Sequence, residues 1–169
     1  MSRGRVWKYG DDVNTDVIFP GRYTYQIMPP EEMARHALED LDPGFAVGVR
    51  PGDVVIGGKN FGCGSSREQA AACLKAAGVR AVVARSFARI YFRNAINLGL
   101  AVLQCPEAVE VLESGDDVEV DFTSGEIRSS KGTFTFLPLP ESVIDILESG
   151  GLLEYTKAKL AASSHPIRP

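Results

Sequence analysis

An α/β fold follows from three observations. Between residues 53 and 104, β-branched runs alternate with helix-forming segments. After Pro106 the pattern changes to short strands separated by turns. Where one strand hands over to a helix stands the glycine-rich loop GGKNFGCGSSREQ, residues 57–69. Strands alternating with helices form a buried, largely parallel sheet with crossover helices.

The elements can be taken in chain order. RVWKYG (5–10) predicts a short strand, and NTDVIFPGRYTYQIMPP (14–30) a long loop rich in proline, glycine and aromatic residues. PEEMARHALED (30–40) predicts a helix, with proline at its first position and acidic residues in its first turn. GDVVIGG (52–58) is a strand, and the helix after it is predicted to start at Ser65. There Ser65 would be the N-cap, with Glu68 completing a capping box, and Gly78 would end the helix. VRAVVAR (79–85) is a β-branched strand feeding SFARIYFRNAINLG (86–99), a helix capped by Ser86 and stopped by Gly99. LAVLQC (100–105) is a further apolar strand.

Beyond it, DDVEVDF, GEIRSS and GTFTFLPL predict an antiparallel group with turns at Ser124-Gly125 and Lys131-Gly132. PESVIDILESGG and LLEYTKAKL are closing helices, and the tail from about 160 to 169 is expected to be loose. No internal repeat or linker divides the chain, so its 169 residues read as one domain.

Composition narrows the function. With 44% hydrophobic and 24% charged residues the balance is that of an ordinary globular protein. A net charge of −4 and a pI near 5.2 argue against a nucleic-acid partner. No run approaches the roughly 18 apolar residues of a membrane span, and the N-terminal residues carry no apolar secretory signal. Three cysteines, Cys63, Cys73 and Cys105, show no CxxC spacing. They fit reduced thiols in a cytoplasmic protein.

The chemistry concentrates in the glycine loop. Gly57, Gly58, Gly62 and Gly64 allow tight turns and a close approach to a ligand. Helix-terminal N–H groups, the hydroxyls of Ser65 and Ser66 and the Arg67 guanidinium would then surround a carboxylate or phosphate. A P-loop requires lysine and then Ser or Thr after its last glycine, and here Ser65-Ser66-Arg67 follows Gly64. A dinucleotide fingerprint fails because Arg67 stands where its third glycine belongs. A purely structural reading, with Ser65 as a simple helix cap, explains one serine but not the second, the arginine or the glycines.

The strings NFGCGSSREQAA and VVARSFARIYFRNAINLGL, with DDVNTDVIFPGRY and PEEMARHAL upstream, resemble the swivel domain of the aconitase superfamily. Within it they resemble the small subunits of the 3-isopropylmalate dehydratase family, over roughly residues 5–155. The resemblance implies a swivelling three-layer β/β/α domain of the aconitase C-terminal type, with a mainly parallel sheet core and a small antiparallel β region. It implies a hydro-lyase that interconverts 2-isopropylmalate and 3-isopropylmalate in leucine biosynthesis. The partner is a large subunit that carries the [4Fe–4S] cluster, and this chain binds no cofactor or metal.

On that resemblance Ser65 is the catalytic base, and Ser66 and Arg67 contact the substrate carboxylates. Asn60, Gly62, Cys63 and Gly64 shape the site loop. The segment 20–29 corresponds to the loop near the variable group of the substrate. Its Tyr25 stands where homoaconitase-type small subunits carry an arginine for an extra carboxylate, so Tyr25, Ile27 and Met28 suit an alkyl group instead. Arg22 is a further candidate for a carboxylate contact, and the loop's aromatics could equally pack on the partner. The small subunit of a related hydro-lyase stays open (2,3-dimethylmalate dehydratase, citramalate isomerase or homoaconitase), as does a stand-alone anion-binding module.

The remaining polar residues have plainer readings. Arg85, Arg89 and Arg93 recur every four residues and are expected on one helical face, for docking or internal pairing. His36 and His165 lack a metal-like partner at i+4. Asp16, after Asn14-Thr15, could tie its loop by hydrogen bonds.

Overall fold

The computed structural model describes residues 3–163. At its centre is one seven-stranded sheet in the order β4-β3-β2-β1-β5-β6-β7. The strands are β1 (Arg3–Lys8), β2 (Val54–Gly57), β3 (Ala81–Ala84), β4 (Ala101–Gln104), β5 (Asp117–Asp121), β6 (Glu126–Ser129) and β7 (Gly132–Thr135). Each overlaps a predicted run, although β1 starts and ends two residues earlier than the expected 5–10.

Strand β1 is the seam between two kinds of sheet. Val6, Trp7 and Lys8 pair in parallel with Val54, Val55 and Ile56. Arg3, Gly4 and Arg5 pair antiparallel with Glu119, Val118 and Asp117. The antiparallel group expected as a separate small region is therefore continuous with the parallel sheet.

Alternation along the strands builds a core on each side of the sheet. Val55, Val82 and Val102 share one with Phe19, Phe45, Phe61, Leu74 and Tyr91. Val54, Ile56, Val83 and Leu103 share the other with Val118, Val120, Ile127 and Phe134. Residues of the antiparallel half thus pack on the parallel half, which requires the sheet to fold back on itself. An α layer, a parallel β layer and a second β layer result.

The α layer comprises α1 (Thr15–Ile18), α2 (Pro30–Arg35), α3 (Phe45–Gly48), α4 (Gln69–Ala76) and α5 (Arg89–Leu98). Helix α6 (Pro106–Val111) packs Ala108 and Val109 into the opposite core. Helices α7 (Glu141–Glu148) and α8 (Leu152–Ser163) close the chain. The long segment 14–30 is not loop throughout, since it holds α1 and a 3-10 turn at Gly21–Tyr23. Residues 160–163 of the tail continue α8, whereas 164–169, including His165, lie outside the described residues.

Two helix starts differ from expectation. Helix α4 begins at Gln69 rather than Ser65, because a turn closed by Arg67 N–H to the Ser65 carbonyl (2.9 Å) comes first. Helix α5 begins at Arg89, since the Ser86 hydroxyl accepts the Asn60 N–H at 2.8 Å and does not cap it. Both predicted stops hold: Gly78 (φ 83°) and Gly99 (φ 81°) take the left-handed conformation that ends a helix. Lys75 Nζ donates to the carbonyls of Leu98, the last residue of α5, and of Gly150, just beyond α7, and burial lowers its pKa.

The start of the parallel strands is locked by Asp53, 2% exposed. Its carboxylate accepts from Arg5 N (2.8 Å), Trp7 Nε1 (2.9 Å) and Arg50 N (3.0 Å). Burial pushes the carboxyl pKa up, but these donors and the Arg5 charge outweigh it and hold the pKa below the ordinary value.

Candidate active site

The site forms at the opposite edge of the parallel strands, where β2 runs into the glycine loop. Ligand sites in parallel sheets characteristically lie beyond these carboxyl ends. The loop is pinned from both sides. Phe61 N donates to Ser86 O (3.0 Å) and Ala88 N to Phe61 O (2.9 Å). Gly62 N donates to Val13 O and Thr15 N to Cys63 O, both at 2.8 Å. Phe61, fully buried, meets the rings of Tyr91 (5.4 Å) and Phe87 (6.1 Å) edge-on. Burying such a ring contributes roughly 1.5–3 kcal/mol, so an apolar anchor holds a polar loop.

Two glycines are obligatory there. Gly62 has φ 79°, and a Cβ on it would fall 2.1 Å from Cγ of Tyr91. Gly64 has φ 96° and turns the chain so that Ser65 faces Thr15. Asn60 enters the loop at φ 57° and donates from Nδ2 to Asp12 (2.9 Å). It shapes the loop without touching the serines.

Ser65 and Ser66 are both exposed. Arg67 Nε donates to Ser65 Oγ at 3.2 Å, and Thr15 Oγ1 lies 3.3 Å from the same oxygen. Thr15, 1% exposed, also donates to the Ser65 carbonyl at 2.9 Å. Arg67 Nη1 donates to Thr24 Oγ1 (2.5 Å), and Nη2 contacts the Asp16 carboxylate. Among the described residues the backbone N–H groups of Ser65, Ser66 and Glu68 donate to no protein group. Exposed donors at the start of an eight-residue helix, beside a guanidinium, suit an anion.

The comparisons with known proteins bear on this geometry. Residues 51–108, which span the loop, α4, α5 and β2–β4, match the aconitase C-terminal domain. The chain is 51% identical over 160 residues to a protein named 3-isopropylmalate dehydratase small subunit from Heliobacterium modesticaldum, covering 94% of this chain and 96% of that one. The chain belongs to this small-subunit family.

Two further relatives come from Methanocaldococcus jannaschii. One, named isopropylmalate/citramalate isomerase small subunit, is 48% identical over 163 residues, covering 95% of this chain and 96% of its own. The other is a crystal structure of 3-isopropylmalate dehydratase, 41% identical with a TM-score of 0.89 and 96% coverage of both chains. The three-layer architecture is therefore the family's own.

The family's small subunits give the remaining candidates a context. Tyr25 is 99% and Ile27 104% exposed, whereas Met28 packs on the core. Tyr25 and Ile27 therefore do not line a preformed alkyl pocket within this chain. Arg22 does not join Arg67: it is taken up by Glu39 and by both oxygens of Asp40 (2.9 and 3.0 Å), over the Tyr23 ring. In this chain alone it is engaged in ion pairs with Glu39 and Asp40. Arg85 likewise pairs with Glu110 (2.8 Å) and lies outside α5, so only Arg89 and Arg93 belong to that helix.

Cys73 and Cys105 serve packing, whereas Cys63 is partly exposed in the site loop. Cys73 is buried with the helices on one side of the sheet and Cys105 with the antiparallel strands on the other, so they cannot ligate one cluster together. Burial, then the nearby Asp12 charge, pushes the Cys63 thiol pKa up, leaving it protonated beside the serines. Among the described residues no group of three or more His, Cys, Asp or Glu converges to hold a metal ion. No helix there is long and apolar enough to cross a membrane.

Sequence reasoning missed Thr15, Thr24 and Gln69, whose Nε2 donates to the Thr24 carbonyl at 3.1 Å. They lie far along the chain from what they touch, and hydroxyl or amide residues in a loop carry no signal of a distant partner. Asp16 had a visible signal, since its Asn14-Thr15 approach predicted a loop tie, although not to Arg67.

Proposed function

We propose that this chain is the proton-transferring subunit of a 3-isopropylmalate dehydratase. Such an enzyme removes water from a hydroxy-dicarboxylate and adds it back at the neighbouring carbon, as a step of leucine biosynthesis in the cytoplasm. The observation that carries this reading is the contact from Arg67 Nε to Ser65 Oγ, beside Thr15.

A serine hydroxyl is a weak base unless its alkoxide is stabilised. Arg67 Nε–H aims a positive donor at that oxygen, and Thr15 can offer a second by rotating its hydroxyl away from the Ser65 carbonyl. Both act most strongly once a partner covers this open rim and excludes water. Ser65 then takes the proton from the substrate carbon and returns it in the reverse step. The N–H groups of Ser66 and Glu68 and the guanidinium of Arg67 hold the carboxylates. When bound in the large subunit, a [4Fe–4S] cluster supplies the Lewis acid for the departing hydroxyl. The cysteines of this chain, divided between the two faces of the sheet, do not fit that cluster.

The substrate is an alkyl-malate rather than homocitrate. Arg22, the arginine of the 20–29 loop, is already neutralised by Glu39 and Asp40, and a third carboxylate there would lose its water with little compensation. Citramalate is a second reading, favoured by the name of the isomerase relative. The test mixes this chain with a cluster-loaded large subunit and follows the alkene absorbance with isopropylmalate, citramalate, 2,3-dimethylmalate and homocitrate. Turnover of isopropylmalate above the others is expected. Turnover by this chain alone, or preference for homocitrate, would contradict the reading.

A further inference from the structure

Thr24 occupies an unusual position. It ends the 3-10 turn Gly21–Tyr23, where its hydroxyl donates to the Gly21 carbonyl at 2.7 Å. The same oxygen accepts Arg67 Nη1 at 2.5 Å, and the Thr24 carbonyl accepts Gln69 Nε2 at 3.1 Å. From there the chain leaves the body of the protein, and the next residues include the fully exposed Tyr25 and Ile27. The foot of the exposed loop is thus bonded to the arginine beside Ser65 and to the first residue of α4.

We propose that Thr24 is a positioning residue that couples the carboxylate-binding arginine to the loop that meets the alkyl group of the substrate. This rests on the reading of the chain as a dehydratase small subunit. Arg67 has three nitrogens and three different neighbours: Nε reaches Ser65, Nη1 reaches Thr24 and Nη2 reaches Asp16. A guanidinium is planar, so fixing Nη1 fixes the direction of the other two. Asp16 is 65% exposed at its side chain, so it can turn out into water and leave Nη2 to an incoming carboxylate. Thr24 is neutral and braced by Gly21 and Gln69, so it stays. Carboxylate binding and loop position therefore share one hydroxyl, and its removal should loosen both at once.

The experiment uses the reconstituted two-subunit enzyme and compares wild type with Thr24→Val and Thr24→Ser. Turnover of isopropylmalate by the wild type checks the underlying reading on its own, so the two ideas fail separately. Thr24→Val should raise KM about tenfold with a smaller effect on kcat, the order expected for a lost hydrogen bond to a charged group. It should also shrink the preference for isopropylmalate over citramalate severalfold, because the loop loses its anchor. Thr24→Ser, which keeps the hydroxyl, should restore both.

An unchanged preference in Thr24→Val overturns the coupling, even if KM rises. Failure of Thr24→Ser to restore it does the same. Should Thr24→Val not associate with the large subunit, Gln69→Ala removes the other brace of the same foot. It must then lower the preference in the same direction, or the proposal falls.

Discussion

Asp53 and Arg67 stand at opposite edges of the same parallel strands, and each is a charge largely withdrawn from water. Asp53 is closed in by three N–H donors from Arg5, Trp7 and Arg50, two of them from the backbone. No ligand can replace these without unfolding the edge. Arg67, with its side chain 11% exposed, is held by a serine hydroxyl, a threonine hydroxyl and a carboxylate that is itself mostly exposed. The exposed serine and carboxylate can yield to a ligand while the braced threonine keeps the guanidinium in place. A charge satisfied by backbone serves stability, whereas one satisfied by exchangeable side chains is available for binding.

The largest break in that contrast should come from Asp53→Ala. It strands buried donors, so the loss should be about 3–5 kcal/mol, measured by urea unfolding of the isolated chain. Arg67→Lys keeps the charge and loses side-chain hydrogen bonds alone, so it should cost about 1 kcal/mol of stability, well below the Asp53→Ala loss. In the reconstituted enzyme it should cost about 2 kcal/mol, or 30-fold in kcat/KM, because a point charge replaces a planar donor. A large stability loss in Arg67→Lys would erase the distinction between the two edges.

The acid response sharpens the same comparison on a smaller scale. The Asp53 pKa is depressed in the folded state, so its stabilisation is complete above the ordinary carboxylate pKa of about 3.9. It is lost as pH falls through the lower folded value. Asp53→Asn should therefore lose less stability than wild type as pH falls below about 4, as read by unfolding at stepped pH. The smallest effect belongs to the exposed loop. Tyr25→Ala with Ile27→Ala should change stability by less than about 0.5 kcal/mol while shifting substrate preference severalfold in the reconstituted enzyme.

Much of this architecture was legible in the residues, and the exceptions have physical reasons. VVIG, AVVA and AVLQ read as strands because they are apolar or β-branched and bounded by turns. Gly78 and Gly99 read as stops because left-handed backbone favours glycine. The double allegiance of β1 was hidden, since pairing with β2 on one side and β5 on the other depends on partners remote in sequence. Ser65 was misread as a cap because the pattern Ser65…Glu68 fits a capping box; the extra turn at Arg67 releases the serine from that task. The pairing of Arg22 with Glu39 and Asp40 was hidden, since that segment reads only as a helix and carries no signal of a partner in the 20–29 loop. The Arg67–Asp16–Thr24 cluster joins two loops that sequence reads separately.

The most direct test removes one oxygen. Ser65→Ala should bind the large subunit with wild-type affinity and unfold at the wild-type midpoint. Its kcat for isopropylmalate should nevertheless fall by about 10³-fold or more at saturating partner. Retention of even a tenth of the wild-type kcat by that variant would show that the proton is taken by another group.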